Sequence, residues 1–162
     1  MIVIQQETKL SGVDIKNARD PEQARRMRAL SEAGLCYFCK QGSEEDRTLP
    51  TSIREGENWY VMRNDFPLDG SVHHYMIIPH RHVVDVHRLT PEERVELFDL
   101  AGWLVEKLGV TGYSMFVRSG DTTLTGATIS HSHYHFLVGG PRPDGPPDLK
   151  NVVPVVIAFK AR

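Results

Sequence analysis

Apolar positions along the chain fall into helix-period and strand-like runs separated by turn-rich segments. The clearest run opens at Leu89-Thr90-Pro91-Glu92-Glu93, where Thr90 is the N-cap, Pro91 takes the first helical position and Glu93 completes a capping box. Val95, Phe98, Ala101, Leu104, Val105 and Leu108 recur at helical spacing up to Gly109 and predict the main core helix, with Trp103 as packing. A second helix is predicted from Pro21 to Ala33, with Asp20 as N-cap, Gln23 placed for a capping box and Gly34 as the stop. Its stripe of Ala24, Met27 and Leu30 is narrow, which suits a helix packed on a domain surface and delivering the loop that follows.

Strands are predicted at Trp59 to Met62, His74 to Ile78, Tyr113 to Val117 and Ser130 to Val138. A short one is expected at Ile2-Val3-Ile4, and a last one over Val152 to Phe159 with Pro154 marking an edge or its start. Gln41 to Pro50, Arg63 to Gly70, Arg118 to Thr125 and the stretch from Gly139 to Lys150 carry loop or turn chemistry. Strands with short connections and one long helix indicate an α+β domain built on an antiparallel sheet.

Composition narrows the possibilities. A chain of 162 residues fits one domain with a real core, and a net charge of −2 gives no global basic field of the kind that recruits duplex nucleic acid. No run approaches the roughly 20 apolar residues of a membrane span, and Met1 to Glu7 lacks the regions of a signal peptide, so a cytoplasmic protein is expected. In that compartment Cys36 and Cys39, a Cys-x-x-Cys pair, read as a metal knuckle or a redox pair rather than a disulfide. The redox reading wants a thioredoxin-like βαβ setting, whereas this pair sits between a helix and a polar loop, so metal leads.

All eight histidines fall between His73 and His135. Three of them, His131, His133 and His135, occupy every other position, which in a strand places three imidazoles on one face. Zinc needs four sulfur or nitrogen ligands; with Cys36 and Cys39 supplying two, His82 and His131 are natural candidates for the others. The competing arrangement puts all three histidines of the triplet on a catalytic metal with an open position. If His131 is a zinc ligand, His133 and His135 remain as free imidazoles, and a neutral imidazole of fixed tautomer is a competent nucleophile toward phosphorus. The turn Thr125-Gly126-Ala127-Thr128 just before them offers backbone N–H groups and hydroxyls to a phosphate, or is simply a loop before a strand.

His131-Ser132-His133-Tyr134-His135-Phe136-Leu137 resembles the signature of the histidine triad (HIT) superfamily of nucleotide hydrolases and transferases. Cys36 to Cys39 is similar to that family's N-terminal zinc knuckle, Asn64 with Phe66-Pro67 to its ribose-side turn, Ile77 to Val83 to its Pro-Lys-x-His segment, and Leu89 to Glu93 to the start of its long helix. The resemblance covers about residues 36–140. It implies a HIT-like antiparallel sheet with one long core helix, with residues 1–35 as an N-terminal helical extension packed on a HIT domain of residues 36–162. By the same resemblance His133 is the nucleophile that attacks the α-phosphate and becomes a nucleotidyl-histidine, and His135 contacts that phosphate. Cys36, Cys39, His82 and His131 hold a structural Zn2+. Asn64 meets the ribose, Gly126 and Ala127 lie along the nucleotide, Thr128 takes the phosphate-side hydroxyl position, and the assembly is a homodimer.

Three positions depart from the pattern. Ala127 stands where many of the family's hydrolases have glutamine, a form closer to the dinucleoside polyphosphate phosphorylase branch; Arg118 stands where asparagine is frequent in the phosphoramidate-cleaving branch; and Ser132 replaces an apolar residue. The implied substrate is a dinucleoside polyphosphate or a nucleoside phosphoramidate. The alternative, motivated by Ala127 and Ser132, is a nucleotide-binding or scaffold module with little turnover. His74 is expected on the approach to the site, and His73, His80 and His87 at the surface or in support.

Overall fold

The computed structural model describes residues 12–39 and 52–140. The strands predicted at Ile2-Val3-Ile4 and Val152 to Phe159, and the loops predicted over 41–50 and 141–150, lie outside the described residues.

Five strands, β1 (Ser52–Glu55), β2 (Trp59–Arg63), β3 (Ser71–Pro79), β4 (Ser114–Val117) and β5 (Tyr134–Gly139), form one sheet in the order β1-β2-β3-β5-β4, every neighbouring pair antiparallel. The helices are α1 (Pro21–Glu32), α2 (Pro91–Leu108) and a single turn, α3 (Thr122–Thr125). The architecture is therefore α+β with one long helix, as the pattern predicts; β1 and α3 are additions to it.

Alternation along β2 explains how both faces of the sheet come to be covered. Trp59 and Val61 point to one side and join Ile77, Leu97, Leu100, Leu104 and Phe136 in a core under α2. Tyr60 and Met62 point to the other and join Met76, Ile78 and Ile129 with Met27 of α1 and Phe38 of the cysteine loop. A strand buried on both faces reads as a continuous apolar run, which is what Trp59-Tyr60-Val61-Met62 is. The functional groups lie on the second face, where α1 and the cysteine loop leave part of the sheet uncovered.

Capping fixes both long helices. Asp20 accepts from the N–H groups of Glu22 and Gln23, while Gln23 Oε1 reaches past the expected cap position to the N–H of Arg19 at 3.0 Å. In α2 the predicted capping box of Thr90 and Glu93 is complete, and Gly109 closes the helix in the left-handed conformation at φ 62°. The buried face of α2 differs from the predicted one. Leu97, Leu100, Ala101 and Leu104 face the sheet with Glu93, while Val95 and Phe98 are 62% and 61% exposed. The apolar arc of α2 is wide enough for two overlapping readings, and Glu93 decides between them. Its carboxylate accepts from Arg81 Nε at 2.5 Å, Arg81 Nη2 at 2.7 Å and the Thr90 N–H at 2.7 Å, and its carbonyl accepts from the Trp59 indole at 2.9 Å. A carboxylate with those partners is held inward, and Val95 turns out.

The Glu93 carboxyl is held below the ordinary range, first by the Arg81 hydrogen bond and then by the Thr90 backbone, against burial. Its contribution is in place above the unfolded carboxylate value and lost as pH falls through the lower folded one. We expect Glu93→Gln to lower unfolding stability by about 2 kcal/mol at neutral pH, and the gap from wild type to narrow below about pH 4. Urea denaturation at pH 7 and at acid pH checks both; a gap that does not depend on pH would remove the ion pair from the account.

Candidate functional site

The loop after α1 carries Cys36 and Cys39, both buried, and the end of β3 leads to His82. Their ligand atoms and that of His131 all lie within 4.8 Å of one another. Cys36 Sγ is 3.5 Å and Cys39 Sγ 3.4 Å from His131 Nδ1, and Cys39 Sγ is 3.2 Å from His82 Nδ1. Ligands at zinc bond lengths of about 2.0 to 2.3 Å stand roughly 3.3 to 3.8 Å apart at the corners of a tetrahedron; these three pairs stand close to that spacing, and the whole set, within 4.8 Å, needs only a small contraction to close on an ion. The opposite nitrogen of His131 supports the same fit. Nε2–H donates to the Pro79 carbonyl at 3.0 Å, which leaves the Nδ1 lone pair aimed at the sulfurs. Hydrogen bonding with Cys39, and then with His131 and His82, holds the Cys36 thiol far below its ordinary pKa in spite of burial, and thiolate is the form that binds metal.

His131 and His133 precede the strand rather than lie in it: β5 begins at Tyr134. The shared face is thus not produced by strand alternation. Ser132, 1% exposed, pulls the backbone aside; its N–H donates to the Val83 carbonyl at 2.6 Å and its hydroxyl to Val84 at 2.8 Å. The three imidazoles then separate into two environments, His131 among the cysteines and His133 beside His135, with ring centroids 4.8 Å apart.

Hydrogen bonds assign the tautomers along a line of three rings. His133 Nδ1–H donates to the carbonyl of His131 at 2.9 Å, so the lone pair of His133 is on Nε2. The Leu68 N–H donates to His74 Nδ1 at 3.0 Å, which puts the His74 proton on Nε2; that Nε2 faces His135 Nδ1 at 2.9 Å, with the Asn64 amide nitrogen also 3.0 Å from it. That places the His135 proton on Nε2. Among the described residues every fully buried side-chain polar atom has a partner, so the unpartnered Nε2 atoms of His133 and His135 open into the adjoining cleft. One is a lone pair and the other a donor. Burial is the first cause that lowers the pKa of all three rings, to about 4 for His74 and His133, with Arg19 and Arg118 adding repulsion. The imidazoles are neutral at physiological pH.

The cleft holds about 800 Å³ of space free of protein atoms, open solvent at its mouth included. Asn64, Gly126, Ala127, Thr128, His133 and His135 all line it. Asn64 Oδ1 accepts from the Phe66 N–H at 2.9 Å and holds the turn that forms one wall. Gly126, at φ 67°, ends α3 in a conformation that favours glycine. Thr128 gives its hydroxyl to the Asn17 carbonyl at 3.2 Å, and Asn17 Nδ2 donates back to the Ala127 carbonyl at 2.9 Å. His80 stacks on Tyr60, and His87 is exposed beside Asp85.

Sequence reasoning placed His74 only near the site and left Asn17 and Arg19 out. His74 had a usable signal: it lies on β3 diagonally across from His135, two positions from that residue's partner Met76, and so on the same face. Asn17 and Arg19 had none, since only tertiary docking brings the N-terminal segment to the cleft.

Similar solved structures include a HIT family hydrolase from Clostridium thermocellum, 27% identical over 62% of this chain and 85% of that one, with a TM-score of 0.48. A HIT family hydrolase from Legionella pneumophila is 21% identical over 60% and 88%, with a TM-score of 0.47. A zinc-bound histidine triad family protein from Mycobacterium smegmatis is 22% identical over 59% and 68%, with a TM-score of 0.45. No curated protein matches the chain. The HIT domain family model matches residues 50–141, from just before β1 to just after β5 and including His82 and the histidine triplet. That is more than half of the 162 residues, and the chain belongs to the HIT family.

Proposed function

We propose that this protein is a nucleotide hydrolase or nucleotidyltransferase, acting on a dinucleoside polyphosphate or nucleoside phosphoramidate through a covalent nucleotidyl-histidine on His133. The observation that carries the reading is the tautomer of His133: Nδ1–H is committed to the His131 carbonyl and Nε2 opens into the cleft. The Nε2 lone pair attacks the α-phosphorus, the bond from phosphorus to the leaving oxygen or nitrogen breaks, and the imidazole becomes cationic. The His131 carbonyl, accepting from Nδ1–H, stabilises that charge. His135 Nε2–H donates to a phosphoryl oxygen and is held in that tautomer by His74. Water or phosphate then displaces His133 from phosphorus, restoring the neutral ring. Asn64 is assigned to the ribose hydroxyls, with Gly126, Ala127 and Thr128 along the phosphate side.

After brief incubation with a dinucleoside polyphosphate or nucleoside phosphoramidate, intact-protein mass should show a nucleoside monophosphate adduct mapping to His133. His133→Ala should lower kcat by at least about 1,000-fold. Unimpaired turnover in that variant would remove the mechanism. One observation favours the second reading, a nucleotide-binding module: the Thr128 hydroxyl and Ala127 carbonyl are taken by Asn17. Tight nucleotide binding by calorimetry, with turnover no faster than in His133→Ala, would select it.

Zinc is assigned a structural role, because four protein ligands leave a tetrahedral ion no open position. Paired reduced cysteines suit a cytoplasmic location, and no helix among the described residues is long and apolar enough to cross a membrane. Cys36→Ser should lose the metal and unfold at lower temperature together, read by elemental analysis and thermal denaturation. Metal retained in full would favour a three-histidine site.

A homodimer is inferred from Val95 and Phe98, exposed on α2, and from β4, which among the described residues is an outermost strand of the sheet and is preceded by exposed Tyr113. Phe98→Glu should shift sedimentation from a dimer to a monomer mass while leaving the far-UV circular dichroism unchanged. A wild-type protein that sediments as a monomer would end this inference.

A further inference from the structure

Arg19 and Arg118 reach the same cleft from segments far apart in the sequence, one just ahead of α1 and the other just after β4. Each is anchored on one edge of its guanidinium. Arg19 Nη2 donates to the Phe66 carbonyl at 3.0 Å and Arg118 Nη1 to the Thr125 carbonyl. The Arg19 backbone is pinned as well, by the Gln23 side chain that accepts its N–H. A guanidinium has five N–H donors in a rigid fork, so an anchor on one edge orients the other donors without exhausting them.

Among the described residues no carboxylate is in contact with either arginine. Neither arginine forms an ion pair there; Asp69 reaches Arg19 only through its field. Asp65, the one carboxylate among the residues that line the cleft, is held by Arg26 Nη1 at 2.7 Å and by the Tyr37 hydroxyl at 2.8 Å. Arg19 and Arg118 also feel each other: the like charge of Arg19 adds to burial in lowering the Arg118 pKa, and both disfavour protonation of His135. Two fixed cations that line one cleft without an ion-pair partner are relieved when an anion binds between them.

One phosphoryl group at His133 and His135 does not call for two cations. A phosphate chain does, because each added phosphoryl unit brings another negative charge and further acceptor oxygens. We infer that Arg19 and Arg118 form a clamp for the phosphoryl groups beyond the one attacked, which makes a nucleoside polyphosphate chain, rather than a phosphoramidate, the preferred substrate class. The inference rests on the reading of His133 as nucleophile, and it assigns the segment ahead of α1, which lies outside the matched residues 50–141, a part in specificity.

Steady-state kinetics on a dinucleoside tetraphosphate and on the matching nucleoside phosphoramidate, with wild type, Arg19→Gln, Arg118→Gln and the double variant, test the clamp. For the tetraphosphate, each single variant should lose about 10- to 100-fold in kcat/KM, mainly through KM, and the double variant more. The phosphoramidate should stay within about threefold. Equal losses on both substrates, or none on the tetraphosphate, would overturn the clamp. Calorimetry with inorganic tripolyphosphate and with orthophosphate gives a readout that needs no turnover, so a failure of the His133 chemistry stays separate. Wild type should bind tripolyphosphate at least about tenfold more tightly than orthophosphate, and Arg19→Gln should lose that preference. Equal affinities, or a preference unchanged in Arg19→Gln, would overturn the proposal. If Arg19→Gln melts early, Arg19→Lys replaces it under the same criteria: the charge stays, but the free edge of the fork is gone, so the preference should still fall.

Discussion

His131 is the residue on which the arrangement of the site depends. It has no solvent exposure, and both ring nitrogens and its carbonyl are committed: Nδ1 to the cysteine sulfurs, Nε2–H to the Pro79 carbonyl, and its own carbonyl to Nδ1–H of His133. The geometry of the Cys36, Cys39, His82 and His131 set and the tautomer of His133, the proposed nucleophile, are therefore joined through one peptide unit. Ser132 reinforces the joint. Its backbone and hydroxyl hydrogen bonds to Val83 and Val84 tie the segment carrying His131 to the segment carrying His82. A serine at a position patterned for an apolar residue is affordable here because the buried hydroxyl is satisfied.

Much of the fold was legible because its elements are marked locally. Asp20-Pro21, Thr90-Pro91 and Gly109 act within one turn of backbone, and α1 and α2 start and stop where those residues place them. The four candidate metal ligands were legible for a related reason: cysteine pairs and histidines are scarce, and their chemistry restricts what they can do together. What stayed hidden depends on contacts distant in sequence. The face of α2 is set by Arg81 and Trp59 on Glu93, which no periodicity of the helix records. The start of β5 is set by hydrogen bonds from Ser132 to Val83 and Val84, so a regular alternation of histidines stood in for a strand that had not yet begun.

The N-terminal segment enters the site by the same kind of long-range contact. Val13 bridges Ile129, the Asp14 N–H donates to the Thr128 carbonyl at 2.8 Å, and the Ser130 N–H to Gly12 at 2.7 Å. Gly12 has φ 39°, and a Cβ there would run into the Ser130 side chain, so glycine permits the close approach. This docking occupies the Thr128 hydroxyl and the Ala127 carbonyl and carries Arg19 to the rim of the cleft. A turn that in isolation would offer its polar groups to phosphate has given some of them to the protein, and guanidinium donors stand nearby.

That exchange has an electrostatic logic. A histidine serves as a nucleophile only while it keeps a lone pair, and burial among other rings keeps His133 neutral. The same burial leaves the imidazoles without charge to attract an anion. If the rings were charged they would hold phosphate well and attack it poorly. Arginine separates the two demands, because its guanidinium stays protonated at any pH the fold experiences. Lining the same cleft, Arg19 and Arg118 would supply attraction for phosphate in the proposed clamp, and their field opposes protonation of His135. On the clamp proposed above, the cations that draw a phosphate chain in also oppose protonation of His135.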